Sequence, residues 1–123
     1  MVKLIIRRTL PNLNDYITAE RSNKYAGAKM KKEWEAVVMH EARALRGVQF
    51  EKPVYMLYRW FEPSRRRDKD NISSFGRKVI QDALVRCGVL QNDGWANIDG
   101  FADEFYVDKK NPRIEVKIWE VGE

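Results

Sequence analysis

The sequence predicts an α+β domain, a mixed β-sheet with helices packed against it in the order β-α-α-β-α-β-β. Three observations carry that prediction. Short stretches near both ends alternate apolar and polar residues with the period of a strand, whereas two longer stretches repeat apolar residues at helical spacing. Gly, Pro and Asn fall between these stretches, where turns and caps need them. The chain has 123 residues, a length that suits a single core, so residues 1–123 are read as one domain.

Val2 to Arg8 opens the chain as a strand, with Val2, Leu4 and Ile6 on one face and Lys3, Ile5 and Arg7 on the other. Pro11 stops it, and Asn12 or Asn14 can cap a short helix from Asn14 to about Ser22. A longer helix runs from Lys24 or Ala28 to Leu45, ended by Gly47, with Met30, Trp34, Val37, Val38 and Leu45 facing the core. Its Lys24, Lys29, Lys31 and Lys32 are expected on a solvated face. Val54 to Phe61 is bulky on both faces, the pattern of a central strand covered on both sides.

From Asn71 to Cys87, the residues Ile72, Phe75, Val79, Ile80, Leu84 and Cys87 form one apolar helical stripe, which Gly88 ends. Asn92-Asp93-Gly94 marks a turn. Gly100 to Val107 and Arg113 to Val121 then read as a final hairpin, with Lys109 to Pro112 as its loop.

The formal net charge is +5, a balance that favours anionic partners without saying anything about fold. The single cysteine, Cys87, excludes an internal disulfide, and its place on the apolar stripe predicts a buried structural thiol. With His40 the only histidine, a His/Cys zinc site has too few ligands, and a histidine-based nucleophilic mechanism has no motif around it. No apolar run approaches the ~20 residues of a membrane span. The N-terminus does not read as a signal peptide, so a cytoplasmic location is expected.

The segment Arg65 to Asp93 concentrates the chemistry. Three arginines, Arg65, Arg66 and Arg67, precede Asp68 and Asp70 with Lys69 between them and Asn71 behind. Two carboxylates one residue apart can seat Mg²⁺, which takes hard oxygen ligands and keeps several waters. Such an ion can activate water and stabilise charge on a phosphodiester. At 100° per residue, Asn71, Lys78 and Asp82 project within about 40° of one another on one flank of the helix. Lys78 could there face a phosphate, or simply pair with Asp82 four residues on. A calcium loop is excluded, because Ser73 stands where Gly is needed and Val79 where the closing Glu belongs. Spacing alone does not bring Asp93 to the other acids.

The whole segment resembles the RusA family of Holliday junction resolvases. The resemblance lies in the basic run, Asp68-Lys69-Asp70-Asn71, Lys78, Asp82-Ala83-Leu84, Gly88 and Asn92-Asp93; LPNLNDYITAERSNKYAGAKMKKEW ahead of it is similar to phage members. Membership implies a homodimer that binds four-way DNA junctions and nicks two symmetry-related strands, using Mg²⁺ or Mn²⁺. By position, Asp68, Asp70 and Asp93 match its metal-binding acids and Lys78 its catalytic lysine. Arg67 with its neighbours matches the residues that hold the DNA backbone, to which Arg65, Arg66, Lys69 and Arg77 are added here. Two departures stand out. About one helical turn is extra before Lys78, and Asn92 replaces the first acid of the late pair.

Overall fold

The computed structural model describes residues 1–122, which form one four-stranded mixed sheet and three helices. In chain order these are β1 (Val2–Ile6), α1 (Leu13–Ser22), α2 (Ala26–Glu41), β2 (Val54–Glu62), α3 (Lys69–Arg86), β3 (Ile98–Val107) and β4 (Arg113–Glu120). The α+β order predicted from the sequence is the order observed. A 3₁₀ turn, Ala42–Leu45, follows α2 and finishes the long helix that the pattern predicts.

Local chemistry explains the boundaries. Asn12 caps α1 by accepting from the Asp15 backbone N–H at 2.8 Å, while the Asp15 carboxylate accepts from the Asn12 N–H at 3.1 Å. This reciprocal box satisfies two donors that a bare helix start would leave open. Gly88, at φ +79, closes the turn after α3 in the left-handed region that a side chain would resist.

The sheet order is β1-β4-β2-β3, with β4 antiparallel to both neighbours and β2 parallel to β3. The final hairpin expected from the sequence is therefore not formed. Asp108 to Pro112 carries the chain across the end of β2, so that β4 inserts between β1 and β2. The Asp108 N–H donates to the Glu62 carbonyl at 2.8 Å, and Arg113 holds the Asp108 carboxylate at 2.9 Å. A short loop of this kind looks the same in sequence whether it joins neighbours or crosses one strand.

Leu4, Ile6, Met56, Tyr58, Trp60, Val116 and Ile118 are buried on the sheet face that meets Val38 of α2 and Val79, Ile80 and Leu84 of α3. Helix α3 lies directly on β2: a Cβ added at Gly76 would come within 2.8 Å of the Trp60 ring. The other face of β2 is only half-buried, at Tyr55, Leu57, Arg59 and Phe61. Expected cover on both sides is thus present on one. The bulky residues of the second face cover each other instead: Tyr55 lies against Trp119, Phe61 against Tyr106, and Arg113 over Phe61. Cys87 also departs from expectation. It sits past the last helical turn and is exposed, and partial desolvation pushes its thiol pKa up, away from thiolate chemistry.

Candidate active site

The carboxyl end of β2 feeds a short basic loop into the N-terminus of α3, so Arg65 to Asp70 stand at the rim where strand gives way to helix. Helix α3 begins at Lys69, two residues earlier than the apolar stripe suggests, and Asp68 occupies its N-cap position. The Asp68 side chain makes no capping hydrogen bond, and Asp70 stands in the first turn. Both carboxylates are exposed, and neither is drawn into a salt bridge among the described residues. The helix dipole favours negative charge here and offers free N–H groups to a phosphate oxygen.

The arginines of the run divide into two kinds. Arg67 grips the Glu62 carboxylate with Nε and Nη2, at 2.8 and 2.9 Å, and donates through Nη1 to the Leu10 carbonyl at 2.8 Å. Glu62 is 6% exposed, so Arg67 supplies the cation that a buried carboxylate requires. Arg65 and Arg66 are exposed beside it. Arg65, with Ser64, Asp68 and Lys69, lines an open hollow of about 760 Å³. The Lys69 ammonium sits 5.7 Å over the ring of Phe105, which lines the same hollow.

Arg77 is held inside. Its Nη2 pairs with Asp103, whose other oxygen accepts from Trp60 Nε1 at 2.9 Å, and its guanidinium lies 4.4 Å over Phe101. Arg77 Nε is buried with no hydrogen-bond partner. Beneath it, Gln81 donates to the buried Tyr58 hydroxyl at 3.1 Å, and burial holds that hydroxyl well above the ordinary tyrosine pKa. Arg77 thus braces α3 against β3.

Lys78 and Asp93 do meet. The Lys78 ammonium donates to Asp93 Oδ2 at 2.9 Å and pairs with Asp82 Oδ1 at 3.1 Å. Lys31, from α2, reaches the other oxygen of Asp82 at 2.7 Å. The Asp93 hydrogen bond, with Asp82 behind it, holds the Lys78 ammonium above its ordinary pKa. Partial burial opposes the charge on Asp82, but Lys31 and Lys78 outweigh it and keep that carboxyl below its ordinary value. Lys78 and Asp82 therefore both stay ionised at neutral pH. Two residues after Asp93, Trp95 is fully exposed (100%), on a turn braced by Asn97 and Ile98 N–H groups bonded to the Gly94 carbonyl, each at 3.0 Å.

Two charged clusters therefore lie along α3, one at its N-terminus and one around Lys78. Lys78 is two turns from Asp70, about 12 Å of helix axis. No group of three acids, histidines or cysteines among the described residues stands close enough to hold a metal ion. Asp68 and Asp70 still fit Mg²⁺ by their chemistry, as two uncommitted hard carboxylates leaving room for water and a phosphate oxygen. Asp93 is not gathered to them. Compared with known proteins, the chain matches no protein-family model and no curated sequence.

Sequence reasoning missed Lys31, which it placed on a solvated face, and Glu62, which fixes Arg67. Helical spacing shows Lys78 beside Asp82, but nothing local says that a lysine from another helix completes the group.

Proposed function

We propose that this chain is a metal-dependent endodeoxyribonuclease that acts on branched DNA, resolving four-way junctions by paired nicks as a homodimer, as the RusA resemblance implies. One observation supports this most. Two unpaired carboxylates sit at an exposed helix N-terminus, with uncommitted arginines before them and, two turns along the same helix, an ammonium held by Asp93 and Asp82. That sequence of charges suits a phosphodiester strand lying along α3. Arg65 and Arg66 face backbone phosphates, Asp68 and Asp70 provide the metal seat, and Lys78 faces developing charge on a phosphate. Trp95 offers a flat apolar face on which an unstacked base can lie.

A bound Mg²⁺ or Mn²⁺ would supply an activated water and charge stabilisation at the phosphate. Asp68 and Asp70 would hold that ion and orient the water. Arg65 and Arg66 would fix the strand, and Lys78 would hold the phosphate as the P–O bond to the leaving oxygen breaks and that oxygen takes a proton from solvent water. Arg67, tied to Glu62 and the Leu10 carbonyl, fixes the direction in which the loop presents its neighbours. Two such sites related by a two-fold axis suit a junction of matching symmetry. No described helix is long and apolar enough to cross a membrane. Action on cellular DNA would place the protein in the cytoplasm.

A junction-binding protein that does not cut is the second reading, and the engagement of Asp93 with Lys78 away from Asp68 and Asp70 favours it. One assay separates them. A labelled four-way junction incubated with Mg²⁺ gives paired symmetrical nicks that Asp70→Asn abolishes; binding without nicks, unchanged by Asp70→Asn, rejects the nuclease. Sedimentation of the protein at micromolar concentration gives the mass of two chains; a monomer with full activity rejects the dimer.

A further inference from the structure

Around Asp82, charged side chains from α2, α3 and the turn after α3 meet in one group. We propose that Asp82 and Lys31 are positioning residues: Lys31 of α2 fixes the Asp82 carboxylate, and Asp82 fixes the ammonium of Lys78. The inference rests on the reading above, in which Lys78 faces a phosphate.

A lysine is a poor tool for placing charge, because its ammonium rides on a flexible four-carbon stem. Lys78 is more than half exposed along its side chain (57%), so packing alone does not hold it. Two carboxylates do. Asp93 comes from the turn after α3 and Asp82 from the next helical turn, and the ammonium lies between them at 2.9 and 3.1 Å. An i,i+4 aspartate can adopt several rotamers, however, and gives a fixed point only if it is fixed itself. Lys31 does this at 2.7 Å from a separate helix. Asp82 then presents one oxygen to each lysine, and its rotamer is set by α2 rather than by α3 alone.

The bland alternative is that Lys31–Asp82 staples α2 to α3. That role is already filled by the pair between buried Glu35 of α2 and Arg86 of α3, at 3.2 Å, and by the packing of Val38. The Lys31 pair stands instead beside Lys78, with both side chains partly shielded from water (30% and 20% exposed). Asp82 also offsets the repulsion between Lys31 and Lys78. If Asp93 turned to another cation, Asp82 would still hold Lys78 on the flank of α3.

The test has two arms. In ¹⁵N spectra of the lysine side chains, a hydrogen-bonded ammonium exchanges slowly and gives a sharp signal. Lys78, assigned through Lys78→Met, shows such a signal in the wild type, broadens in Asp82→Asn, and shifts in Lys31→Met. With a four-way junction and Mg²⁺, Asp82→Asn lowers kcat roughly 10- to 100-fold with KM within about twofold. Lys31→Met lowers kcat less, and Lys31→Arg restores it. The double variant is no worse than Asp82→Asn alone, because the two act through one group. A Lys78 signal indifferent to both substitutions overturns the proposal, as does a Lys31→Met enzyme with wild-type kcat, or an effect confined to KM. Should the wild type not cut at all, the nuclease reading fails, and the spectra still decide whether Lys31 and Asp82 hold Lys78. Melting each variant guards against misfolding, and Lys31→Met, altered at a partly exposed side chain, remains informative if Asp82→Asn does not fold.

Discussion

An arginine that already holds a buried carboxylate cannot take up a phosphate without giving one partner up. Arg67 is in that position, with both faces of its fork on Glu62. Arg67→Ala is expected to cost about 3 kcal/mol of stability, the low end for breaking a buried pair, since part of Arg67 reaches solvent. Arg67→Lys restores the charge but not the fork, so it recovers only part of that loss in a denaturant melt. Arg65 and Arg66 have no such duty. Replacing either with alanine leaves stability within ~0.5 kcal/mol. It lowers the slope of log affinity against log salt by roughly one for each phosphate no longer neutralised, equally for all DNA sequences. An unchanged slope would place the loop away from DNA. Trp95→Ala tests the exposed indole in the same way: stability is unaltered, while affinity for branched or single-stranded DNA falls by about 1–3 kcal/mol.

Helix α3 is the element on which the candidate site is built, and its seating depends on Gly76. A methyl group there would meet the Trp60 ring at 2.8 Å, and Trp60 is itself tied to Asp103. Gly76→Ala should therefore destabilise the fold by about 1–3 kcal/mol through overpacking, although alanine is the better helix former. A stabilised protein in a thermal melt would show that α3 rides higher on the sheet. At the β1–β4 edge, Lys3 and Arg113 flank Glu115, and together they lower its pKa below the ordinary 4.5 despite partial burial. Because the folded value is the depressed one, this stabilisation is present above pH 4.5 and is lost as pH falls through the folded pKa. Glu115→Gln should flatten the acid limb of stability against pH below that value, and an unchanged limb would mean the pairing does not persist in solution.

Across the whole molecule, the insertion of β4 between β1 and β2 makes β2 and β4 the two interior strands. Amide exchange is expected to be slowest in β2 and β4 and faster along the outer side of β3, since interior strands open only with the global unfolding. Equal protection of β3 and β4 as one unit would mean that they pair as a hairpin after all. The α+β order was legible in the sequence because period two, period 3.6 and turn residues are local signals, and Val2–Ile6, the α3 stripe and Gly88 are all read from neighbours in the chain. The single-sided cover of β2 was not, because VYMLYRWF is bulky on both faces whether its outer face meets a helix or its own neighbours Trp119 and Tyr106.

The candidate site divides along the same line. The sequence by itself determined which charges exist and their spacing: two aspartates at a helix start, arginines ahead of them, and Lys78 with Asp82 on one flank. These follow from helix geometry, which is fixed by the backbone. Only the tertiary structure decided which partner each of those charges meets. Glu62 takes Arg67, Asp103 takes Arg77, and Asp93 with Asp82 takes Lys78, while Lys31 arrives from another helix. Ion pairs form between side chains that packing brings together from distant positions, so no local pattern reveals which carboxylate a cation will meet.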